Sequence, residues 1–333
     1  MFQYLAMAFM CMQTQLPVQD VGMFTKALWF LQAYGTDDCT SASMDQHVKS
    51  VLATALAKNR ELSWDSLQGL IQRDVFERFA GKDLQLSNTE LNHALKLVEP
   101  AARNRLLPEL RRHADYLTTS FDMIDPGHYE SMDQLSDWIA QNWHEGATLQ
   151  VVTTCTGNSR RSILSAAMGN LSAAYYGFDN LRFYSGGTIP SAFNERTVAT
   201  LKEIGFQIEA TGEEAQRGPL QLPNPIYFVQ WGQGFEAHEF SKHFADKSNP
   251  QSNFAVILVC TEAETECPFV SGATLRVSMT FLDPKTYDEG AFESRKYAER
   301  RDDIGRVFLA VMAKARQKIQ NRQSLETLQP FRK

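Results

Sequence analysis

The stretch Thr148-Leu-Gln-Val-Val-Thr-Thr-Cys155-Thr-Gly-Asn-Ser-Arg-Arg-Ser-Ile-Leu-Ser-Ala-Ala-Met168 decides the fold. Thr148 to Thr154 is β-branched and apolar, the composition of a buried strand. A tight turn containing Gly157 follows, and from Ser162 the residues Ile163, Leu164, Ala167, Met168, Leu171 and Tyr175 trace a helix. Strand, glycine-bearing loop and helix form the first unit of an α/β fold, and the pattern begins at Gly146.

The alternation continues downstream. Leu181 to Tyr184 reads as a second short strand leading into Ser185-Gly-Gly, and a helix from about 191 to 204 is stopped by Gly205. Phe254 to Val259 and Arg276 to Phe281 supply two more strands, and Ile304, Val307, Phe308 and Val311 mark a closing helix. These elements predict an α/β fold with a parallel sheet and helices on both faces, whose ligands sit at the carboxyl ends of the strands. Cys155 lies at such an end.

Upstream the signals are helical. Ser87-Asn-Thr-Glu90 is a capping box ahead of Leu91, Ala94, Leu95 and Val98, and Pro100 ends that helix. Leu106, Leu107, Leu110, Ala114 and Leu117 form a second stripe; Ser131-Met-Asp-Gln134 heads a third helix carrying Leu135, Trp138, Ile139 and Trp143. Stretches 44–58 and 64–79 look helical too. The expected division is therefore a helical N-terminal region, 1–145, before an α/β domain, 146–333. The first region holds no catalytic signature; a cap over the site, a partner-docking surface and a homo-oligomer interface all stay open for it.

With 333 residues, 43% of them hydrophobic, the chain can bury a large core. A net charge of −6, with acids and bases interspersed, gives no long-range pull toward nucleic acid or an anionic membrane, so any anion site must be local. The 5 cysteines (11, 39, 155, 260 and 267) are too few for a disulfide scaffold, and their odd number leaves one thiol free, which fits a reducing, cytoplasmic location. Phe2 to Met12 is apolar but short, with no preceding basic residue and no clear cleavage site, so export is the lesser expectation. Nothing later approaches the ~20 apolar residues of a membrane span.

The chemistry concentrates in the loop. Backbone N–H groups along Thr156, Gly157, Asn158, Ser159, Arg160, Arg161 and Ser162 can point inward as an anion nest, helped by the dipole of the helix that follows. Arg161 can give a tetrahedral oxyanion two parallel hydrogen bonds, and the same positive field is expected to favour the thiolate of Cys155. The plainer alternative, a buried inert cysteine and a solvated arginine, explains neither the glycine nor the strand-to-helix setting. Asp283-Pro284, beyond the last strand, is the candidate general acid; Asp125-Pro126, in the helical part, reads as a turn. Cys260 and Cys267 share one acidic segment with Glu262, Glu264 and Glu266. A structural disulfide and a zinc site compete with a redox pair here, but two cysteines do not complete a tetrahedral zinc set, and His238 and His243 are too loosely associated. No metal and no organic cofactor is expected.

From about 148 to 320 the chain resembles the low-molecular-weight protein tyrosine phosphatase superfamily, and within it the thioredoxin-coupled arsenate reductases. The family's cysteine, five residues, arginine, serine signature is met by Cys155, Arg161 and Ser162, and Asn158 matches the loop asparagine. Ser185-Gly-Gly-Thr188 looks like the Ser-Ala-Gly-Thr segment, Asp283-Pro284 like the general-acid pair, and Cys260 with Cys267-Pro268 like the reductases' redox pair. Phe240-Ser-Lys-His, Asn253-Phe-Ala, Cys267-Pro-Phe and Asp283-Pro-Lys also look like a bacterial branch labelled arsenate reductase or protein tyrosine phosphatase. Three features depart from the pattern: Arg160 at a position usually small or cysteine, an insertion between Thr211 and Asn253, and the N-terminal helical region.

The resemblance implies a four-stranded parallel sheet and attack by Cys155 on arsenate, with Asp283 as acid. It also implies a Cys155, Cys260, Cys267 disulfide relay regenerated by thioredoxin. A phosphatase hydrolysing phosphate monoesters through a Cys155 thiophosphate is the rival, and a non-catalytic oxyanion-binding module is a third reading. Ser241-Lys242 and His243 have two readings, a lining for the mouth of the site and an exposed basic turn, of which the turn is the expectation.

Overall fold

The computed structural model describes residues 101–118, 120–261 and 270–328, together with 61–63, 65, 73 and 85–87. The chain divides into two compact units, Met1–Glu99 and Pro100–Lys333. In the first, strands β1 (Glu61–Ser63) and β2 (Gln85–Ser87) pair antiparallel, inside a region whose sequence reads as helical throughout. Each strand carries one apolar residue, too little for a period to register. Ser87 ends β2, and the helices expected at 44–58 and 91–98 lie outside the described residues.

The second unit is built on four parallel strands: β3 (Leu149–Cys155), β4 (Leu181–Gly187), β8 (Phe254–Leu258) and β9 (Ala273–Ser278), in the order β4-β3-β8-β9. Every residue of β8 and all but one of β3 are buried, as befits central strands of a sheet flanked by helices. Helix α3 (Arg161–Tyr175) packs on β3 and β4, and α4 (Glu195–Glu203) begins at Asn194, whose side chain accepts the Arg196 N–H. The α/β fold and the four-stranded parallel sheet expected from the sequence are thus present.

The unit starts earlier than expected. Helices α1 (Pro108–Thr118) and α2 (Tyr129–Asn142) lie on the sheet side of the division at 99/100, not in a separate region ending at 145. The long α5 (Glu293–Leu328) packs against α1, α2 and α3, and α2 packs on β9, so the apolar stripes of α1 and α2 complete the same core. Phe308 of α5 meets Phe183 of β4 edge-on at 5.3 Å, both buried, each worth about 2–3 kcal/mol of transfer free energy. Lys314, buried in α5, is paired with Asp133 of α2 at 2.6 Å. Breaking that pair would strand a charge in the interior.

The insertion between Thr211 and Asn253 contributes most of a second sheet. Strands β5 (Gln207–Glu214), β6 (Pro225–Gly232) and β7 (Phe235–Glu239) pair antiparallel in that order. Trp231 and Val229 turn inward and, with Ile163, Ala166, Phe193 and Leu201 of the α/β core, line a small apolar pocket. Among the described residues no helix is long and apolar enough to cross a membrane.

Candidate active site

In the sheet order, the chain leaves β3 toward β4 on one side and returns through β8 to β9 on the other. A crevice outside the carboxyl ends of β3 and β8 is what such a reversal produces. Cys155 ends β3 and Cys260 follows β8 by two residues, so both sulfur atoms stand at this reversal, and both are buried.

The 155–161 loop is held from outside. The carbonyl of Cys155 accepts the Thr188 N–H at 3.1 Å, that of Thr156 the Ile189 N–H at 2.9 Å, and that of Gly157 the Ser191 N–H at 3.0 Å. The Ser159 carbonyl takes the Asn194 N–H at 3.2 Å and the Thr197 hydroxyl at 3.1 Å. A peptide plane whose carbonyl is tied outward presents its N–H on the opposite side, so these bonds orient the loop amides as an anion cradle. Gly187 makes the approach possible: a Cβ there would stand 2.6 Å from the Thr156 oxygen and 2.8 Å from the Asn158 nitrogen.

Asn158 is the loop's internal brace. It adopts φ 41°, a left-handed conformation that asparagine tolerates better than most residues. Its side-chain oxygen accepts the Lys242 N–H at 2.7 Å, which fixes the amide's orientation, and its Nδ2 donates to Ser162 Oγ at 2.9 Å. Ser162 Oγ in turn lies 3.1 Å from Cys155 Sγ. Either atom can donate in this contact, since a hydroxyl oxygen that accepts from Asn158 still has a second lone pair and its own proton.

Arg161 opens α3. Its Nη2 stands 2.8 Å from Asp283 Oδ2 and its Nη1 donates to the Phe281 carbonyl at 3.3 Å. Asp283, 33% exposed against 11% for its partner, also caps the 3₁₀ turn Pro284–Tyr287 by accepting the Lys285 N–H at 3.0 Å. Arg160 points elsewhere: its Nε donates to the Tyr297 hydroxyl and its Nη2 to Asp288. The Arg160 guanidinium is thus committed, leaving only its backbone N–H for an oxyanion. Burial draws that guanidinium's pKa down, but the hydrogen bonds and charge of Tyr297 and Asp288 outweigh it, and the net direction is up. Burial, reinforced by the bond to Asp288, pushes the Tyr297 phenol up against the pull of Arg160.

Cys260 Sγ lies 3.8 Å from Thr156 Oγ1, beside the residue after Cys155. Cys267, Pro268, Glu262, Glu264 and Glu266 lie outside the described residues. Asp125-Pro126 forms a turn, with Asp125 accepting the Gly127 N–H at 2.8 Å. No group of three or more His, Cys, Asp or Glu stands together as a metal site among the described residues.

One expectation is overturned. Ser241 and Lys242 are not an exposed basic turn; both are buried against the loop, and only His243 is exposed. The Lys242 N–H serves Asn158, its carbonyl accepts the Gly187 N–H at 3.0 Å, and Ser241 Oγ donates to the Gly157 carbonyl at 3.3 Å. Asn224, on the insertion, holds Ser241 in place through bonds to both its N–H and its carbonyl. The reach of Lys242 to Asn158 spans 84 residues, so no local pattern announces it. The sheet of the insertion was legible: Phe235-Glu-Ala-His-Glu239 alternates after the turn glycines Gly232 and Gly234.

No family model matches the chain, and no curated protein matches it. Among solved structures it is similar to a low molecular weight phosphotyrosine phosphatase from Vibrio cholerae O395, with 12% identity, coverage of 53% of this chain and 98% of that one, and a TM-score of 0.30. It is similar also to the YwlE arginine phosphatase from Geobacillus stearothermophilus, with 15% identity, coverage of 53% and 96%, and a TM-score of 0.29.

Proposed function

We propose that this protein is a cysteine-dependent phosphatase acting on phosphate monoesters. The observation that carries the reading is the 2.8 Å pair between Arg161 and Asp283, which joins a carboxyl group to the far end of a loop that begins with a buried thiol. An anion cradle, a nucleophile and an acid are the parts that phosphoryl transfer needs.

The loop amides and Arg161 receive the phosphoryl oxygens, and the incoming dianion competes with Asp283 for Arg161. The Cys155 thiolate attacks phosphorus, an S–P bond forms, and the P–O bond to the leaving group breaks. Asp283 gives that oxygen its proton. Water then attacks phosphorus, giving one proton back to the Asp283 carboxylate, and the S–P bond breaks to release inorganic phosphate and restore the Cys155 thiolate. Ile189, Leu282 and Tyr287, apolar and exposed, stand next to the loop and the acid and suit an aromatic or apolar ester.

A second reading has its own support in Cys260, buried 3.8 Å from Thr156 Oγ1. On this reading the substrate is arsenate, bound as a Cys155 adduct. Cys260 attacks the Cys155 sulfur, the As–S electron pair passes to arsenic, and arsenite leaves as two thiols become a disulfide. Cys267 then exchanges with Cys260, and a thioredoxin dithiol reduces the product pair.

The two readings separate in one experiment. Purified protein is given p-nitrophenyl phosphate, and in parallel arsenate with thioredoxin, its reductase and NADPH. The phosphatase reading expects hydrolysis that Cys155→Ser abolishes and Cys260→Ser retains. NADPH oxidation that depends on arsenate and disappears in Cys260→Ser overturns it in favour of reduction. If neither substrate turns over while arsenate still protects Cys155 from iodoacetamide, both readings fall and an oxyanion-binding role without catalysis remains.

A further inference from the structure

Consecutive arginines reach the two ends of one turn. Arg161 holds Asp283, the residue that caps the turn at its start, and Arg160 holds Asp288, the residue that closes it. Between them the chain is short and stiff: Asp283 accepts the Lys285 N–H, Pro284 fixes its own φ, and the Asp288 N–H returns to the Lys285 carbonyl at 3.0 Å. Asp288 is gripped a second time by the hydroxyl of Tyr297, at 2.7 Å, from the second turn of α5. A third tie follows, where Arg196 of α4 meets Glu293 at 2.7 Å. Tyr297 is buried and the Arg160 and Asp288 side chains are largely so. In such a setting a charge-assisted network resists displacement better than an exposed pair does.

We propose that Arg160, acting through Asp288 and Tyr297, is the positioning residue that holds the Asp283 carboxyl at the leaving oxygen. The inference rests on the phosphatase reading and adds to it a group that touches neither phosphate nor nucleophile. Mechanically the reason is leverage. The Arg161–Asp283 bond opens when a dianion takes Arg161, so at that moment the turn needs another anchor on the loop. Arg160 supplies it from the adjacent residue, and the distance from loop to acid is kept while the Arg161 contact changes partners.

The test uses the full-length protein and a series of aryl phosphates whose leaving groups differ in basicity. Removing a proton donor harms esters with poor leaving groups and spares those with good ones. Arg160→Met is expected to lower kcat/KM for phenyl phosphate by about tenfold to a hundredfold, while that for 2,4-dinitrophenyl phosphate stays within about twofold, since its leaving group needs no proton. Asp288→Asn should reproduce the selectivity, Tyr297→Phe should show a weaker version, and the Arg160→Met/Asp288→Asn double variant should lose no more than either single one. Equal losses on both esters, or none on phenyl phosphate, overturn the proposal.

A readout independent of turnover separates this from the functional reading. In Arg160→Met the Lys285 and Asp288 amides, whose bonds close the turn, should exchange with deuterium at least about tenfold faster while β3 and β8 amides keep their protection. Unchanged exchange at both amides removes the clamp. Absence of Cys155-dependent hydrolysis in the native protein, with exchange responding as stated, removes the phosphatase reading and the catalytic meaning of the clamp with it.

Discussion

Two segments meet at this site and are held by different physics. The 155–161 loop is tied by hydrogen bonds between neutral groups: four carbonyls bond to backbone N–H groups between Thr188 and Asn194, and Asn158 bonds to Lys242 and Ser162. The 283–293 turn is tied by charge: Arg161 to Asp283, Arg160 to Asp288 and Arg196 to Glu293. Neutral bonds are short-ranged and indifferent to salt, whereas ion pairs can be opened by a competing anion or screened. The difference matches the tasks. A cradle must keep its shape before and after binding, while an acid must release one arginine when substrate arrives.

The comparison can be broken in order of size. Gly187→Ala attacks the neutral framework, because a Cβ 2.6 Å from the Thr156 oxygen forces the loop away from β4. We expect kcat/KM to fall about a hundredfold through misplaced loop amides, and the denaturant midpoint to report a loss of ~1–3 kcal/mol. A variant with native kinetics would mean that the loop is not seated on β4 as described. Asn158→Ala comes next. It leaves the buried Lys242 N–H without its acceptor and Ser162 without its donor, for a stability cost of ~1–3 kcal/mol, measured by chemical denaturation.

Salt discriminates the two segments directly. Raising NaCl from about 0.05 M to about 1 M shrinks the screening length from roughly 14 Å to roughly 3 Å, so exchange of the Lys285 amide should rise about two- to threefold, the pairs being partly sheltered. The Ser191 and Lys242 amides should not respond. Equal responses would erase the contrast.

The smallest expected effect involves His128, whose ring lies 4.7 Å from that of Phe281, the residue whose carbonyl accepts Arg161. Burial holds the imidazole below its ordinary value of 6.5, Arg300 adds to that, and Asp125 opposes it. Because the folded pKa is the lower one, the unfolded chain binds more protons below about 6.5, and stability present above that pH is lost as pH falls toward the folded value. The melting temperature of the native protein should therefore drop more between pH 7.5 and 5.5 than that of His128→Gln. Parallel curves would show that the ring does not contribute.

What the sequence disclosed follows from range. The β3, loop and α3 unit is contiguous, so its strand pattern, its glycine and its arginine could be read together, and Asp283-Pro284 carried its own local cue. The antiparallel sheet of the insertion is harder to see, because only Phe235 to Glu239 alternates cleanly and the pairing of β5, β6 and β7 is broken by register shifts. The compact units divide at 99/100 and not at 145 for a different reason. Apolar stripes on α1 and α2 show that these helices bury a face, but not that α5, more than 150 residues later, covers it. Arg160 is the clearest case: its partners stand 128 and 137 residues away, and in isolation it looks like another donor for the anion.

Arg160-Arg161 also offers two adjacent peptide bonds of the kind a trypsin-like protease cuts, since each follows an arginine. In the folded protein both guanidiniums are occupied by carboxylates and the second residue has already entered a helix, so neither can thread an extended protease cleft. Cleavage after either one must therefore wait for the turn to let go, and the rate of nicking counts how often it does so.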